Sequence, residues 1–233
     1  MKASGGDDGA KRRAGESAAD RVEDRQVVGL GTGSTAAHAI RALGRAVDAG
    51  ADLRGIPTSY QSRGLARECG VPLTTLEEAT PDVAIDGADQ VAGFDCVKGG
   101  GAAHAREKVV DAAADRLLLV VDPSKEASAL DHPVPVEVLP DAVPTVRERV
   151  EGAGGEPALR AAERKDGPVV TDNGNLVLDC AFGTIGEPAA LAATLSAVPG
   201  VVEHGLFVGL ADEVHVGKGT ENGNGSGVDV RRR

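Results

Sequence analysis

Apolar runs of strand length alternate with helix-like stretches through the first half of the chain. The runs cover residues 26–30, 53–56, 83–85 and 117–121, and a stretch typical of a helix follows each of the first three. Strands that alternate with helices form parallel sheets with helical crossovers. This pattern therefore predicts an α/β domain built on a parallel sheet.

The pattern changes from residue 133 onward. Strands are predicted at 134–139, 157–163, 169–171, 176–181 and 201–207, with helices at 143–150 and 187–197. The sequence Asn173-Gly174-Asn175 is a strong hairpin signal. This order approximates a split β-α-β-β-α-β plan, so we expect a small α+β domain over 132–206. The run 214–216 then returns to the main sheet, and the α/β domain comprises 11–131 and 207–218.

Both ends of the chain are polar and rich in glycine. Residues 1–10 and 219–233 carry few apolar side chains, so they lack the surface that folding must bury. We predict a disordered tail at each end.

Composition and net charge argue against several classes of protein. The formal charge of −11 disfavours nucleic-acid binding, which needs a basic surface, and a phosphorylated ligand would need cations placed beside it. The three cysteines, Cys69, Cys96 and Cys180, are far apart and form no CxxC, so neither a disulfide framework nor a metal site is predicted. No apolar run approaches the ~18 residues that span a membrane. We expect a cytoplasmic protein.

The segment 81–108 concentrates candidate chemistry. Asp86 and Asp89 follow an apolar run, and acids at the carboxyl end of a strand lie where α/β sheets bind ligands. Lys98 precedes three glycines, Gly99 to Gly101, whose backbone N–H groups can approach an anion closely. The alternative interpretation is a turn followed by a glycine linker.

Glu107 lies in the alanine-rich stretch that follows these glycines. At helical spacing it shares a stripe with Ala103, Val110 and Ala114. An acid on an apolar stripe faces a cavity or is partly buried, which suits a general base. If the helix is instead solvated, Glu107 is a surface residue between Arg106 and Lys108.

The loop Gly31 to Thr35 joins a predicted strand to a helix, which makes an anion site. A Walker A motif is excluded because the loop has no lysine. A dinucleotide site is disfavoured because Asp52, at the spacing of the ribose-binding acid, begins its strand. A single phosphate fits the loop better, and an ordinary βα turn is the alternative. The predicted strand ends together carry Thr32 to Thr35, Ser59, Asp86 with Asp89, and Lys125, and these ends should converge on one sheet edge.

With these motifs, the chain resembles the type A ribose-5-phosphate isomerase family. The resemblance covers nearly all of residues 11–217 and has one departure, Gln90, where the family usually has Glu. The His104 position and the long polar tail after Thr220 also look idiosyncratic. The matching motifs are GLGTGSTAAHAI (29–40), PTSYQSRGLA (57–66), DGAD (86–89), KGGGAAHAREK (98–108), DPSK (122–125) and TDNGN (171–175).

The resemblance implies a Rossmann-like domain with an inserted ferredoxin-like domain. It also implies interconversion of D-ribose 5-phosphate and D-ribulose 5-phosphate through an enediolate, within non-oxidative pentose phosphate metabolism. The implied catalytic residues are Glu107 as the base, Asp86 as the acid and Lys98 as a stabiliser of the enediolate. The family further implies a homodimer or homotetramer. No metal or cofactor is expected, because the carboxylates have lysine and glycine neighbours and form no cluster of metal ligands. The implied substrate-binding residues are Thr32, Gly33, Ser34, Thr35, Gly87, Ala88, Asp89, Gly99, Gly100, Gly101 and Lys125, with Lys11 as a possible further cation.

Two other functions remain open from the sequence. A sugar-phosphate sensor would use Thr32 to Thr35 and Lys125 without needing Glu107. A CoA-transferase-like enzyme would use Glu107 as a nucleophile, an assignment that rests on fold analogy alone.

Overall fold

The structure, a computed structural model, describes residues 6–219 and 227–233. The first half of the described chain contains both predicted and unpredicted elements. In chain order these are α1 (Asp8–Ala19), β1 (Val27–Leu30), α2 (Ser34–Asp48), β2 (Arg54–Pro57), α3 (Tyr60–Glu68), β3 (Val83–Gly87), β4 (Gln90–Ala92), β5 (Asp95–Val97), α4 (His104–Ala113), β6 (Leu117–Val121) and a 3-10 turn (Pro123–Lys125).

The second half contains most of the antiparallel strands. In order these are β7 (Val134–Val138), a 3-10 turn (Pro140–Ala142), α5 (Val143–Gly152), β8 (Glu156–Leu159), β9 (Leu176–Ala181), α6 (Pro188–Ser196), β10 (Val201–His204), β11 (Leu206–Phe207), β12 (Glu213–Gly217) and β13 (Val228–Arg232).

The described chain divides into two compact units. The antiparallel-sheet unit comprises residues 89–105 and 127–209, and the parallel-sheet unit comprises the other described residues. The predicted small domain, 132–206, lies within the first of these. Residues 89–105, which the sequence analysis assigned to the α/β domain, group with the antiparallel sheets instead.

The parallel-sheet unit is a six-stranded sheet in the order β13-β12-β6-β3-β1-β2, in which all pairs are parallel except β12 with β13. Val28 and Leu30 of β1 pack into one core with α1 and α2. Val27 packs on the other side with Val110 of α4. Alternate residues of a strand point to opposite faces, so helices cover both faces of the sheet. The predicted mixed α/β architecture is confirmed.

The antiparallel-sheet unit contains a four-stranded sheet in the order β10-β7-β9-β8. With α5 after β7 and α6 after β9, its chain order is β-α-β-β-α-β, as predicted. Valines and leucines of the strands and of both helices form its core. A separate three-stranded sheet, β11-β5-β4, was not predicted, because its strands have only two or three residues each.

The predicted disorder of the chain ends is wrong for the described parts. Residues 228–232 form β13, which pairs along its whole length with β12; an edge strand needs only one partner, and Arg232 also reaches Glu213 at 3.4 Å. At the other end, α1 begins at Asp8 because the Asp7 side chain accepts hydrogen bonds from the N–H groups of Gly9 and Ala10. Residues 1–5 and 220–226, which the same prediction covers, lie outside the described residues.

Three other predicted strands differ in extent. The predicted strand 157–163 is β8, which ends at Leu159, and 169–171 contributes only an isolated bridge at Val170. The predicted strand 201–207 is split at Gly205 into β10 and β11. A side chain at Gly205 would collide with the carbonyl of Lys98.

Within the described ranges, no helix is both long enough and apolar enough to cross a membrane.

Candidate active site

Asp86 ends strand β3 with its side chain fully buried. Its Oδ1 accepts hydrogen bonds from the backbone N–H groups of Thr32 at 3.1 Å and Gly87 at 2.7 Å. Gly31 lies against the same carboxylate, so closely that any side chain at this position would overlap it. The glycine before Thr32 therefore lets the first loop reach the Asp86 carboxylate.

The loop after β1 turns into α2 at Gly33, where φ is 116°. Side chains rarely adopt this conformation, so glycine is required here. Gly33 supplies no side-chain cap, and the first backbone N–H groups of a helix have no acceptor within the helix. Ser34 is exposed and Thr35 is buried beside these groups. The predicted anion loop thus leads into a helix start without a side-chain cap, an end of a helix that favours negative charge.

A hydroxyl network links this loop to the end of β2. Thr32 Oγ1 donates to Ser59 Oγ at 2.7 Å and lies 2.9 Å from Thr58 Oγ1. Ser59 also caps α3 through reciprocal hydrogen bonds with Ser62. The predicted meeting of the first two strand ends is confirmed. The sequence analysis did not single out Thr58, although its position in the PTSY motif was the available signal.

Glu107 lies on the buried side of α4, with 4% of its surface exposed. The neighbouring stripe positions Ala103 and Val110 are buried as well, and Asp111, one turn further along, is 3% exposed. The alternative of a solvated surface Glu107 is therefore wrong. By contrast, the Arg106 guanidinium stacks over the Tyr60 ring, 5.4 Å from its centroid.

Lys125 lies at the end of a 3-10 turn that follows β6 and is half-buried. The turn is fixed by Asp122, whose Oδ1 accepts hydrogen bonds from the Ser124 N–H at 3.0 Å and the Ser124 hydroxyl at 2.5 Å. The DPSK motif is thus a capped turn that presents one lysine.

Lys11, considered as a further cation, is buried on α1 and is not the surface residue of a frayed helix.

In the antiparallel-sheet unit, Lys98 is 2% exposed. Its backbone N–H donates to the Gly205 carbonyl at 2.8 Å, and its ammonium lies 5.3 Å from the centroid of the Phe207 ring. A cation over an aromatic face is stabilised by the ring quadrupole. Phe207 is thus a neighbour of the Lys98 ammonium that was not among the predicted site residues.

The three glycines after Lys98 form a tight turn. Gly99 has φ of 106°, and the N–H of Ala102 donates back to the Gly99 carbonyl at 2.9 Å. Asp89 Oδ2 accepts the N–H of Gly100 at 2.7 Å. Asp89 and Gly100 were both predicted to contact substrate, but here they bind each other, whereas Gly101 is exposed.

Arg160 contacts this loop and was not among the predicted site residues. Its Nη1 donates to the carbonyl oxygens of Gly99 at 2.8 Å and Gly100 at 3.3 Å, and its guanidinium pairs with Asp179. No motif surrounds Arg160, and it lies 61 residues after Gly99. The sequence therefore carried no local signal for this contact.

Gln90, the one noted departure from the family pattern, has a structural role. Its Nε2 donates to Asp131 Oδ1 at 2.5 Å, and its Oε1 accepts the N–H groups of Asp131 at 2.8 Å and His132 at 2.9 Å. The amide thus binds the segment that leads into β7 through both of its polar atoms.

Other titratable groups lie outside these arrangements. Burial raises the pKa of Cys180 to about 12, so this thiol is unreactive at neutral pH. Across residues 6–219 and 227–233, no three histidine, cysteine or acidic side chains come together in a group that could hold a metal ion.

Comparisons with known proteins agree on one family. Residues 54–221 match the family model described as ribose 5-phosphate isomerase A (phosphoriboisomerase A). The chain is 72% identical to a ribose-5-phosphate isomerase A from Natronomonas pharaonis, over 99% of this chain and 100% of that protein. It is 67% identical to the Haloarcula marismortui protein of the same name, over 97% of each.

Solved structures agree with these sequences. The ribose 5-phosphate isomerase A structure from Methanocaldococcus jannaschii matches with a TM-score of 0.89 and 40% identity, over 96% of this chain and 98% of that one. A D-ribose-5-phosphate isomerase in complex with phospho-erythronic acid matches with a TM-score of 0.91 and 39% identity, over 96% and 97%.

Proposed function

The chain belongs to the ribose 5-phosphate isomerase A family, whose members are isomerases, and we propose that it interconverts D-ribose 5-phosphate and D-ribulose 5-phosphate with Glu107 as the base. The observation that carries the role of Glu107 is the burial of this carboxylate on α4, between Ala103 and Val110 of its stripe. Burial of a titratable group is one of the ways in which enzymes adjust a catalytic acid or base to its task.

The reaction moves one proton between two carbons. From the open-chain aldose, Glu107 removes the proton on C2 and returns it to C1, while a second proton passes from O2 to O1. Between these two steps the intermediate is an enediolate, whose negative charge lies on O1 and O2. General base catalysis of this kind contributes ~10²–10⁴-fold to the rate.

Asp86 is the proposed acid that serves the sugar oxygens. Two backbone N–H groups hold its Oδ1, which fixes the orientation of the carboxyl group. A fixed proton donor avoids the entropy cost of finding its position in each turnover. Gly87 and Ala88, next in the chain, and Asp89 are proposed to contact the sugar.

Lys98 and the Gly99 to Gly101 loop are proposed to stabilise the enediolate. Lys98 supplies a buried positive charge, which is worth more where water is excluded. Because the Gly100 N–H already donates to Asp89, the proposed anion contact falls to other amides of this loop.

The phosphate is proposed to bind the loop Thr32 to Thr35, with Lys125 as its cation. The Gly33 conformation and the start of α2 support an anion at this loop. Because the chain carries a net charge of −11, a phosphate dianion needs such local positive groups to overcome repulsion. Assembly as a homodimer or homotetramer stays a prediction from the family, and a cytoplasmic location stays a prediction from the sequence.

Incubation with ribose 5-phosphate in D₂O, followed by proton NMR, tests the function. Wild type should form the ketose with deuterium at carbon. Glu107→Gln should lose at least ~100-fold in turnover but should still bind phospho-erythronic acid, while Glu148→Gln, at an exposed position of α5, should match wild type. Turnover by Glu107→Gln at the wild-type rate would remove Glu107 from its role.

The same incubation tests for a sensor, and a separate assay with a CoA donor tests for a transferase. Binding of sugar phosphate by wild type without exchange or ketose would identify a sensor. Acyl exchange with a CoA donor, absent in Glu107→Gln, would identify a transferase with Glu107 as nucleophile.

A further inference from the structure

We infer that Arg160, held by Asp179, is a positioning residue that sets the direction of the Gly99 to Gly101 amides. The inference rests on the proposed function, because it assigns to this loop the stabilisation of the enediolate. It adds two residues that neither the motifs nor the family resemblance indicated.

The backbone of Arg160 is fixed from both sides. Its N–H donates to the Val177 carbonyl and its carbonyl accepts the Val169 N–H, both at 2.9 Å. Its side chain is 9% exposed and meets Asp179 in a two-point contact, with Nε donating to Oδ2 at 2.9 Å and Nη2 to Oδ1. Such a forked pair fixes the plane of the guanidinium.

The guanidinium then fixes two peptide groups. Nη1 donates to the carbonyl oxygens of both Gly99 and Gly100. In a trans peptide the C=O and the following N–H point in opposite directions, and the described chain has no cis peptide. The N–H groups of Gly100 and Gly101 must therefore point away from Arg160.

These two N–H groups have different partners. The Gly100 N–H donates to Asp89, so the peptide between Gly99 and Gly100 is bound at both ends. The next peptide has its carbonyl on Arg160 and presents the N–H of Gly101 on the opposite side. Gly101 is exposed, and its N–H is therefore the amide of this loop that is oriented to receive an anion.

Three consecutive glycines need such a restraint. Glycine has the widest backbone freedom of any residue, so the loop alone would populate many amide directions. Arg160 selects one of them before substrate binds. Its positive charge at the carbonyl end also polarises each peptide, which strengthens the N–H as a donor.

Kinetics of Arg160→Met and Asp179→Asn test the inference. Because the amides act on charge that develops in the reaction, kcat should fall about 10- to 100-fold in Arg160→Met, less than the ~10²–10³ lost when a donor is removed outright, with KM within about twofold. Arg149→Met, at an exposed position of α5 in the same unit, is the matched control and should match wild type.

Two readouts separate positioning from general loss of structure. The double variant Arg160→Met/Asp179→Asn should be no slower than Arg160→Met alone, because Asp179 acts only through Arg160. Added guanidinium ion should restore part of kcat to Arg160→Ala and none to Asp89→Asn. If Arg160→Met fails to fold, Asp179→Asn and Arg160→Lys carry the test, each with kcat reduced and KM retained.

The failures are distinguishable. An inactive wild type overturns the proposed function itself. An active wild type with unchanged kcat in Arg160→Met overturns the inference alone, and so does a rise in KM at unchanged kcat, or additive losses in the double variant.

Discussion

Gly31 and the carboxylate of Asp86 lie in direct contact, with no room for a side chain at residue 31. The contact joins the loop after β1 to the end of β3, and the next residue, Thr32, donates its N–H to the same carboxylate oxygen. One glycine therefore sets both the path of the loop proposed to bind phosphate and the position of the proposed acid.

Gly31→Ala should displace Asp86 and reduce turnover. A methyl group in this contact costs about 1–3 kcal/mol in folding free energy, as overpacking in cores does. The shift of the carboxyl group should in addition lower kcat of the protein that remains folded. Gly64→Ala is the matched control, because a side chain at Gly64 of α3 meets no atom within 4 Å. Steady-state kinetics and chemical unfolding measure the two effects; equal kcat in the two variants would contradict the assignment of Asp86.

Lys125→Ala should chiefly weaken substrate binding. A hydrogen bond to a charged group is worth about 1.5–3 kcal/mol, so KM should rise roughly 10- to 150-fold while kcat changes little. Lys218→Ala, which removes a lysine that follows β12, is the charge-matched control. A loss confined to kcat would show that Lys125 does not serve the phosphate.

Gln90→Glu should destabilise the segment that precedes β7. The glutamate would keep its acceptor for the N–H groups of Asp131 and His132 but would bring a second carboxylate to within hydrogen-bonding distance of Asp131. We expect a loss of about 1–2 kcal/mol with turnover retained. Asp131→Asn in the same variant restores a donor and should recover the stability in chemical unfolding; no recovery would point to another cause.

Stability should fall in mild acid because of His215. This fully buried side chain lies between Ser17 and Glu213. Burial lowers its pKa from 6.5, assisted by Arg21 and Arg232 and opposed by Glu213. The native state thus takes up this proton at lower pH than the unfolded state does, so the free energy of unfolding decreases as pH falls below about 6.5.

His215→Gln should remove that part of the pH dependence. At pH 8, where the native contacts of His215 are intact, the variant should have a lower free energy of unfolding than wild type. This difference between the two proteins should shrink toward pH 5. Urea unfolding at both pH values measures this. A difference that stays constant with pH would mean that His215 does not contribute to the acid sensitivity.

Much of the parallel-sheet unit was predictable because its signals are local. Apolar runs of strand length identify β1, β2, β3 and β6, and a helical stretch follows each of the first three, since periodicity and burial act over a few neighbouring residues. Glu107 was likewise identified from its own helix. Strand β13 was missed because its partner, not its composition, makes it a strand. Strands β4 and β5 were missed because each has only three residues, too few to show a period.

The sequence by itself determined the family, the α/β plan and which acids, lysines and glycines carry the candidate chemistry. Tertiary structure alone decided which groups contact one another: Asp89 with Gly100, Lys98 with the Phe207 ring, and Arg160 with Gly99. The physical reason is range. Propensity and hydrophobic period are properties of adjacent residues, whereas a hydrogen bond between residues 61 positions apart exists only once the sheets have brought their strands into register.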